Sequence, residues 1–237
     1  MGIAAFIKRK AKRLILGNRC DSQSYIAHLR AIGMRIGEGT RIFSPQTVTI
    51  DEQTPCMIEI GKHVEITAGV TILTHGFDWC VLKGVYGDVL GSRGKVTIGD
   101  NCFIGMHSTI LKGVTIGSNV IIGANSVVTR DIPDNCVAVG NPAKVVMTLE
   151  EYYEKRKKAQ LEEASSLVRE YRAVYGKDPS AKDMSEFFWL FTDEYEGIDE
   201  SWKYQMLQAG NLQQSIEKLK SNPKPYKDMQ EFFDSVK

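Results

Sequence analysis

No apolar run in the 237 residues approaches the roughly 20 needed to span a bilayer, and Lys8, Arg9, Lys10, Lys12 and Arg13 interrupt the apolar stretches at the N-terminus. A spanning helix and an ordinary signal peptide are therefore not expected. Charge of either sign is nearly absent in the balance, with 30 Lys and Arg against 29 Asp and Glu and a formal net charge of +1, which disfavours a basic nucleic-acid binder. The five cysteines, Cys20, Cys56, Cys80, Cys102 and Cys136, stand singly with no CxxC pair. That spacing in a chain of this length argues against a disulfide framework and for a reducing, cytoplasmic location. What remains, 43% hydrophobic and 25% charged, is the composition of an ordinary folded protein.

What the sequence has is a period. In steps of six from Ile36 the chain places Ile42, Val48, Ile60, Ile66 and Ile72 in one phase, with Thr54 as the interruption. After a shift of phase the same step gives Ile98, Ile104, Ile110, Ile116, Ile122 and Val128. Glycine often follows the aliphatic residue, as at Gly37, Gly61, Gly99, Gly105, Gly117 and Gly123, and Asn101, Asn119 and Asn125 recur where a tight corner is required. A six-residue unit fits neither the 3.6-residue helix nor a hairpin meander. It fits a solenoid of very short strands, three faces to a turn, whose β-branched residues point inward and stack about 4.8 Å apart on the next turn.

The segment from Ile98 to Val146, ending in Gly140-Asn141-Pro142-Ala143, resembles the hexapeptide-repeat acetyltransferases, in particular sugar O-acetyltransferases of the galactoside and maltose type. The resemblance covers about residues 33–147. It implies a left-handed parallel β-helix; the hand comes from the resemblance alone, since ordinary crossovers are right-handed. Pro142 cannot continue a ladder, so the repeat is expected to stop near it. The expected organisation is a capping segment over 1–32, the β-helix over 33–147 with an inserted loop at 73–95, and an α-helical extension over 148–237.

The insertion carries the chemistry. A loop that leaves a rigid scaffold is a usual place for function. Acyl transfer to a hydroxyl needs a base, and in the resembling enzymes a Thr-His pair at this place supplies it; here the pair is Thr74 and His75. Asp78, three residues on, is a candidate to orient the imidazole or touch the acceptor. Trp79, Tyr86 and Arg93 are the candidates for substrate binding. His28, His63 and His107 read as surface histidines.

Carried over by position, the resemblance implies acetyl-CoA as co-substrate, lying in a groove between subunits of a homotrimer. Ala124 matches a backbone contact to it, and Thr129 and Arg130 match a Thr-Lys pair near the adenine and phosphates. The run Phe103-Ile104-Gly105-Met106 departs from the family's Trp-Ile-Gly followed by a small residue, leaving Gly105 and the Met106 amide as the candidates there. Some relatives bind zinc through histidines five residues apart; no such pair exists here, so no metal is expected.

The reading is thus an acetyltransferase acting on a hydroxyl of a carbohydrate, with a surface polysaccharide or its precursor as candidate acceptor. The competing readings are a non-catalytic rod with a partner-binding tail, or N-acetylation of an amino sugar. Residues 3–16 fit either a basic helix on the inner membrane face or a cap on the solenoid's open end. In the extension, Thr148 and Glu151 have capping-box spacing and begin a long helix ending at Gly176. The element Lys182-Asp183-Met184-Ser185-Glu186-Phe187-Phe188 recurs at Lys227–Phe233, each copy expected to start a short helix.

Overall fold

The computed structural model of the protein describes residues 14–237, which fall into two compact units, one ending at Tyr152 and the other spanning Tyr153–Lys237. The expectation for residues 3–16 lies, up to residue 13, outside the described residues. Among those residues no helix is long and apolar enough to cross a membrane.

The first unit begins with helix α1 (Ser22–Ala31), whose N-cap Asp21 accepts the Ser24 amide proton at 2.7 Å. Tyr25, Ile26 and Leu29 of α1 are buried in the same cluster as Ile36 and Ile42. Short strands follow in rounds of three: β1 (Arg35–Ile36), β2 (Arg41–Ile42), β3 (Thr49–Ile50), then β4 (Ile58–Ile60), β5 (Glu65–Ile66), β6 (Thr71–Ile72). After the insertion come β7 (Val96–Ile98), β8 (Phe103–Ile104), β9 (Thr109–Ile110), β10 (Thr115–Ile116), β11 (Val120–Ile122) and β12 (Val127–Val128). The fold is mainly parallel sheet. Every third strand joins the same sheet: β1-β4-β7-β10 form the first, β2-β5-β8-β11 lie in the second, and β3-β6-β9-β12 form the third.

The hexads explain this directly. Ile36, Ile60, Ile98 and Ile116 are register partners in turn, as are Ile50, Ile72, Ile110 and Val128 in the third sheet. Most are entirely buried, and each such side chain contributes about 1.5–3 kcal/mol of transfer free energy. The position three residues after the aliphatic is the corner: His63, Asn101, His107, Asn119 and Asn125 all have φ between 52° and 58°. Asparagine tolerates that left-handed conformation. It also forms a ladder, Asn101 Nδ2 donating to Asn119 Oδ1 and Asn119 Nδ2 to Asn135 Oδ1, each at 2.9 Å. His63 and His107 lie so close over the glycines of the preceding round that a Cβ on Gly39 or Gly69 would sit 2.2 Å from the ring Nδ1. Both therefore serve the corner itself.

The first round corrects the phase read from the sequence. Ile50, not Val48, is the strand residue that pairs with Ile72. Val48 sits two places earlier, buried in the slot that Val64 and Val70 fill in the next round. Thr54 precedes a 3₁₀ turn at Pro55–Met57. Two small bulges in this round add up to one hexad, so counting by six skips over both.

At the far end β13 (Cys136–Val139) pairs in parallel with β11, and β14 (Lys144–Thr148) returns antiparallel to β13. Parallel stacking thus ends at Gly140–Ala143, as expected for a proline there.

The expected capping box is present: Thr148 Oγ1 accepts from Glu151 N at 3.1 Å and Glu151 Oε2 from Thr148 N at 2.7 Å, opening α3 (Leu149–Tyr175), whose residues from Tyr153 onward belong to the second unit. Gly176, at φ 65°, closes it. Ala164 and Val168 of α3 pack in a separate core with Met184, Phe188, Trp202 from α4 (Glu200–Met206), Leu219 from α5 (Leu212–Lys220), and Phe232 and Phe233 from α6 (Met229–Ser235). The repeated element is absorbed by this core. Only its second copy forms a regular helix; the first is a run of turns leading to a 3₁₀ helix at Phe188–Leu190.

Candidate active site

Strand β6 ends at Ile72, and the chain leaves the third sheet through Leu73, a fully buried Thr74 and His75. The parallel register Thr49↔Thr71 and Ile50↔Ile72 sets Asp51, the residue after β3, opposite Leu73. Its carboxylate therefore reaches the two residues beyond. Asp51 Oδ2 accepts from Thr74 N at 3.1 Å, Thr74 Oγ1 at 2.5 Å and His75 Nδ1 at 2.5 Å, and Oδ1 accepts from Gln53 N at 3.0 Å.

The Asp51 side chain is 3% exposed and that of His75 23%. Burial pushes the Asp51 carboxyl up, but hydrogen bonds from the Thr74 and His75 side chains and from the Gln53 and Thr74 amides outweigh it and bring its pKa down to about 2. The group is an ionised acceptor at neutral pH. Nδ1 of His75 must then carry the proton, which leaves the lone pair on Nε2. This arrangement can accept a proton at Nε2 and stabilise the resulting imidazolium through Asp51.

Next along the chain, Glu52 takes hydrogen bonds from Tyr25 Oη at 3.1 Å, Arg19 Nη2 at 3.2 Å and His28 Nε2 at 3.0 Å. Burial raises its pKa and these partners, His28 foremost, lower it to a net depression. His28 is thus engaged in fixing α1 beside the site.

Asp78 does not orient the imidazole: Asp51 holds that position, brought in from the preceding round. Asp78 instead sits at the N-terminus of a helix inside the insertion, α2 (Trp79–Tyr86) in sequence order between α1 and α3, without capping it. Asp51 was missed because the count by six put Thr54, not Ile50, in phase. The signal available was an acid directly after an inward aliphatic, where other rounds have Gly, Thr, Phe or Leu.

The insertion is closed at its base by Gly76 N to Ser92 O and Gly94 N to Thr74 O, both 2.9 Å, flanking an antiparallel bridge between His75 and Arg93. Arg93 also donates to Thr54 Oγ1. Trp79 packs edge-on against Phe77 at 4.9 Å, and Tyr86 is exposed at the end of α2. Register shows the insertion's size: first-sheet partners are 38 residues apart across it and 18 in the following round.

The other candidates form two groups. Gly105, Met106 and Ala124 lie together where the chain passes from the second to the third sheet; a Cβ on Gly105 would meet Ala124 N at 2.5 Å. Thr129 and Arg130 follow β12, on the edge from the third sheet back to the first, where His75 also emerges. Arg130 is exposed and has no ion-pair partner among the described residues. Within one chain the width of the third sheet separates Met106 and Ala124 from His75.

Residues 95–130 match the family model described as bacterial transferase hexapeptide (six repeats). The chain is 44% identical over 124 residues to Protein CapG of Staphylococcus aureus, covering 52% of this chain and 71% of that one. It is 35% identical over 126 residues to the putative acetyltransferase YvoF of Bacillus subtilis, covering 53% of this chain and 67% of that one. Among solved structures, a maltose O-acetyltransferase from Clostridium difficile 630 aligns at 29% identity over 60% of this chain and 84% of that one, with a TM-score of 0.44. The repeat, the parallel sheets it builds and the extent of the match to CapG agree: the chain belongs to the hexapeptide-repeat transferase family.

Proposed function

We propose that the protein transfers the acetyl group of acetyl-CoA to a hydroxyl of a carbohydrate acceptor, with a surface polysaccharide or its precursor as the acceptor class. The observation that carries this reading is the Asp51–His75 pair, with Nδ1 protonated toward a buried carboxylate and Nε2 left as a base. In the proposed step Nε2 takes the acceptor's hydroxyl proton as its oxygen bonds to the thioester carbonyl carbon. The oxyanion of the tetrahedral intermediate is held by backbone N–H groups, for which the Met106 amide is the candidate. Collapse breaks the carbon–sulfur bond, and the imidazolium returns the proton to the departing thiolate, with no covalent enzyme intermediate.

The scaffold proposed for this is a left-handed coil of three faces, and the assembly a trimer. Support for the assembly comes from the separation of the two groups of candidates: a second copy would bring the Gly105, Met106 and Ala124 edge beside the His75 and Arg130 edge. Asp78, Trp79, Tyr86 and Arg93 are proposed to face the acceptor from the insertion.

The test is a screen of mono- and oligosaccharide acceptors with labelled acetyl-CoA, comparing the protein with its His75→Ala variant. A loss of turnover of about 10²–10⁴-fold is expected when the general base is removed. Unaltered transfer by His75→Ala, or no transfer to any saccharide by the unaltered protein, overturns the reading.

A further inference from the structure

The second unit carries a groove of about 1110 Å³ between α3 and α5, with Trp189 and Tyr153 contributing aromatic surface and Gln160, Asn211, Gln214 and Lys218 contributing polar groups. Asn211, the N-cap residue of α5, donates from Nδ2 to Gln214 Oε1 at 3.4 Å, and Gln214 and Lys218, four residues apart, share one face of that helix. Asn222 Nδ2 donates to Trp189 O at 2.6 Å, holding the backbone that carries the indole.

The exposed charges of α3 pair with one another inside the groove and outside it: Lys157, in the lining, with Glu154 and over the Tyr153 ring at 4.2 Å, Arg156 with Glu163 and Arg169 with Glu162. In the groove, Gln160 has no hydrogen-bond partner and Lys218 no ion pair among the described residues. The exposed apolar side chains Leu161, Val174 and Leu207 of this unit do not line it. A ring sugar presents what the lining can meet: an apolar C–H face for an aromatic ring, and hydroxyls that both donate to and accept from carboxamides.

We propose that this groove binds a short run of sugars of a saccharide chain, as a site separate from the candidate catalytic residues. The choice of a glycan as the protein's polymeric substrate rests on the function proposed above; the binding itself does not. The helical unit would hold a length of the acceptor on Trp189 and the flanking amides.

The test uses the full chain with His75→Ala and no acyl donor, titrated with defined hexasaccharides of neutral hexoses, N-acetylhexosamines and uronic acids. Saturable binding of at least one class is expected, weakened tenfold or more by Trp189→Ala and by Gln214→Ala, the latter on an exposed helical face where the fold tolerates truncation. A flat titration across the panel, as a protein partner in the groove would give, overturns the proposal, and so does binding indifferent to Gln214→Ala. Because no transfer is read, a groove that binds while acetyl transfer fails refutes only the catalytic reading, and the reverse result refutes only this one.

Discussion

Replacing Asp51 by Asn probes the site through one atom. In the native structure Oδ2 accepts three protons, from Thr74 N, Thr74 Oγ1 and His75 Nδ1, and Oδ1 accepts one from Gln53 N. An amide cannot satisfy this set. With its oxygen in the Oδ2 place, its NH₂ faces the Gln53 N–H; with its NH₂ there, it faces the Thr74 N–H and forces Nδ1 to accept, moving the imidazole proton to Nε2. The second arrangement removes the base, and both remove the charge that stabilises the imidazolium. For unit charges ~4 Å apart at an effective dielectric of ~20, that attraction is about 4 kcal/mol, or roughly three decades in rate. We expect Asp51→Asn to lower kcat by about 10²–10³ with little change in KM, read as thiol release from acetyl-CoA with an acceptor from the screen. The fold should survive: the depressed carboxyl pKa is worth about 2 kcal/mol, a fall in Tm of roughly 4–8 °C for a chain of this size. A folded Asp51→Asn protein retaining more than a tenth of the native kcat would refute the reasoning.

The same carboxyl sets an acid limb of stability. Its pKa is about 2 in the fold against an ordinary 3.8, so its contribution is complete above pH ~4 and is lost as pH falls from ~4 toward 2. Urea midpoints between pH 5 and 3 should fall more steeply for the native protein than for Asp51→Asn; parallel curves would contradict this. Close stacking of rounds gives another contrast. A Cβ on Gly61 would meet Gly99 C at 2.6 Å, backbone that cannot yield, whereas one on Gly84 in α2 meets nothing within 4 Å. Gly61→Ala should cost about 1–3 kcal/mol and Gly84→Ala should stabilise by up to about 1 kcal/mol, both read by chemical denaturation.

The fold's periodic part was legible because each hexad carries its own instruction. An inward β-branched residue and a corner that accepts positive φ recur locally, so the strands around Ile60, Ile66, Ile98, Ile104 and Ile122 follow from the sequence alone. His75 was legible as well, since it stands where the period breaks. The capping box at Thr148 and Glu151 and the stop at Gly176 were likewise local signals. The first round was misread at Val48 and Thr54, because two loop bulges summed to one repeat and concealed themselves.

The sequence by itself determined the repeat, the place of the interruption and the residue type poised there, because these are properties of neighbours along the chain. Only the tertiary structure decided that Asp51 rather than Asp78 holds the imidazole, since their pairing depends on the register of β3 against β6 across 24 residues. It also decided that Met106 and Ala124 lie on a different edge from His75, and that the repeated Phe-Phe elements of the tail close a core of their own. Contacts between rounds depend on loop lengths and stacking register, and no local pattern records either.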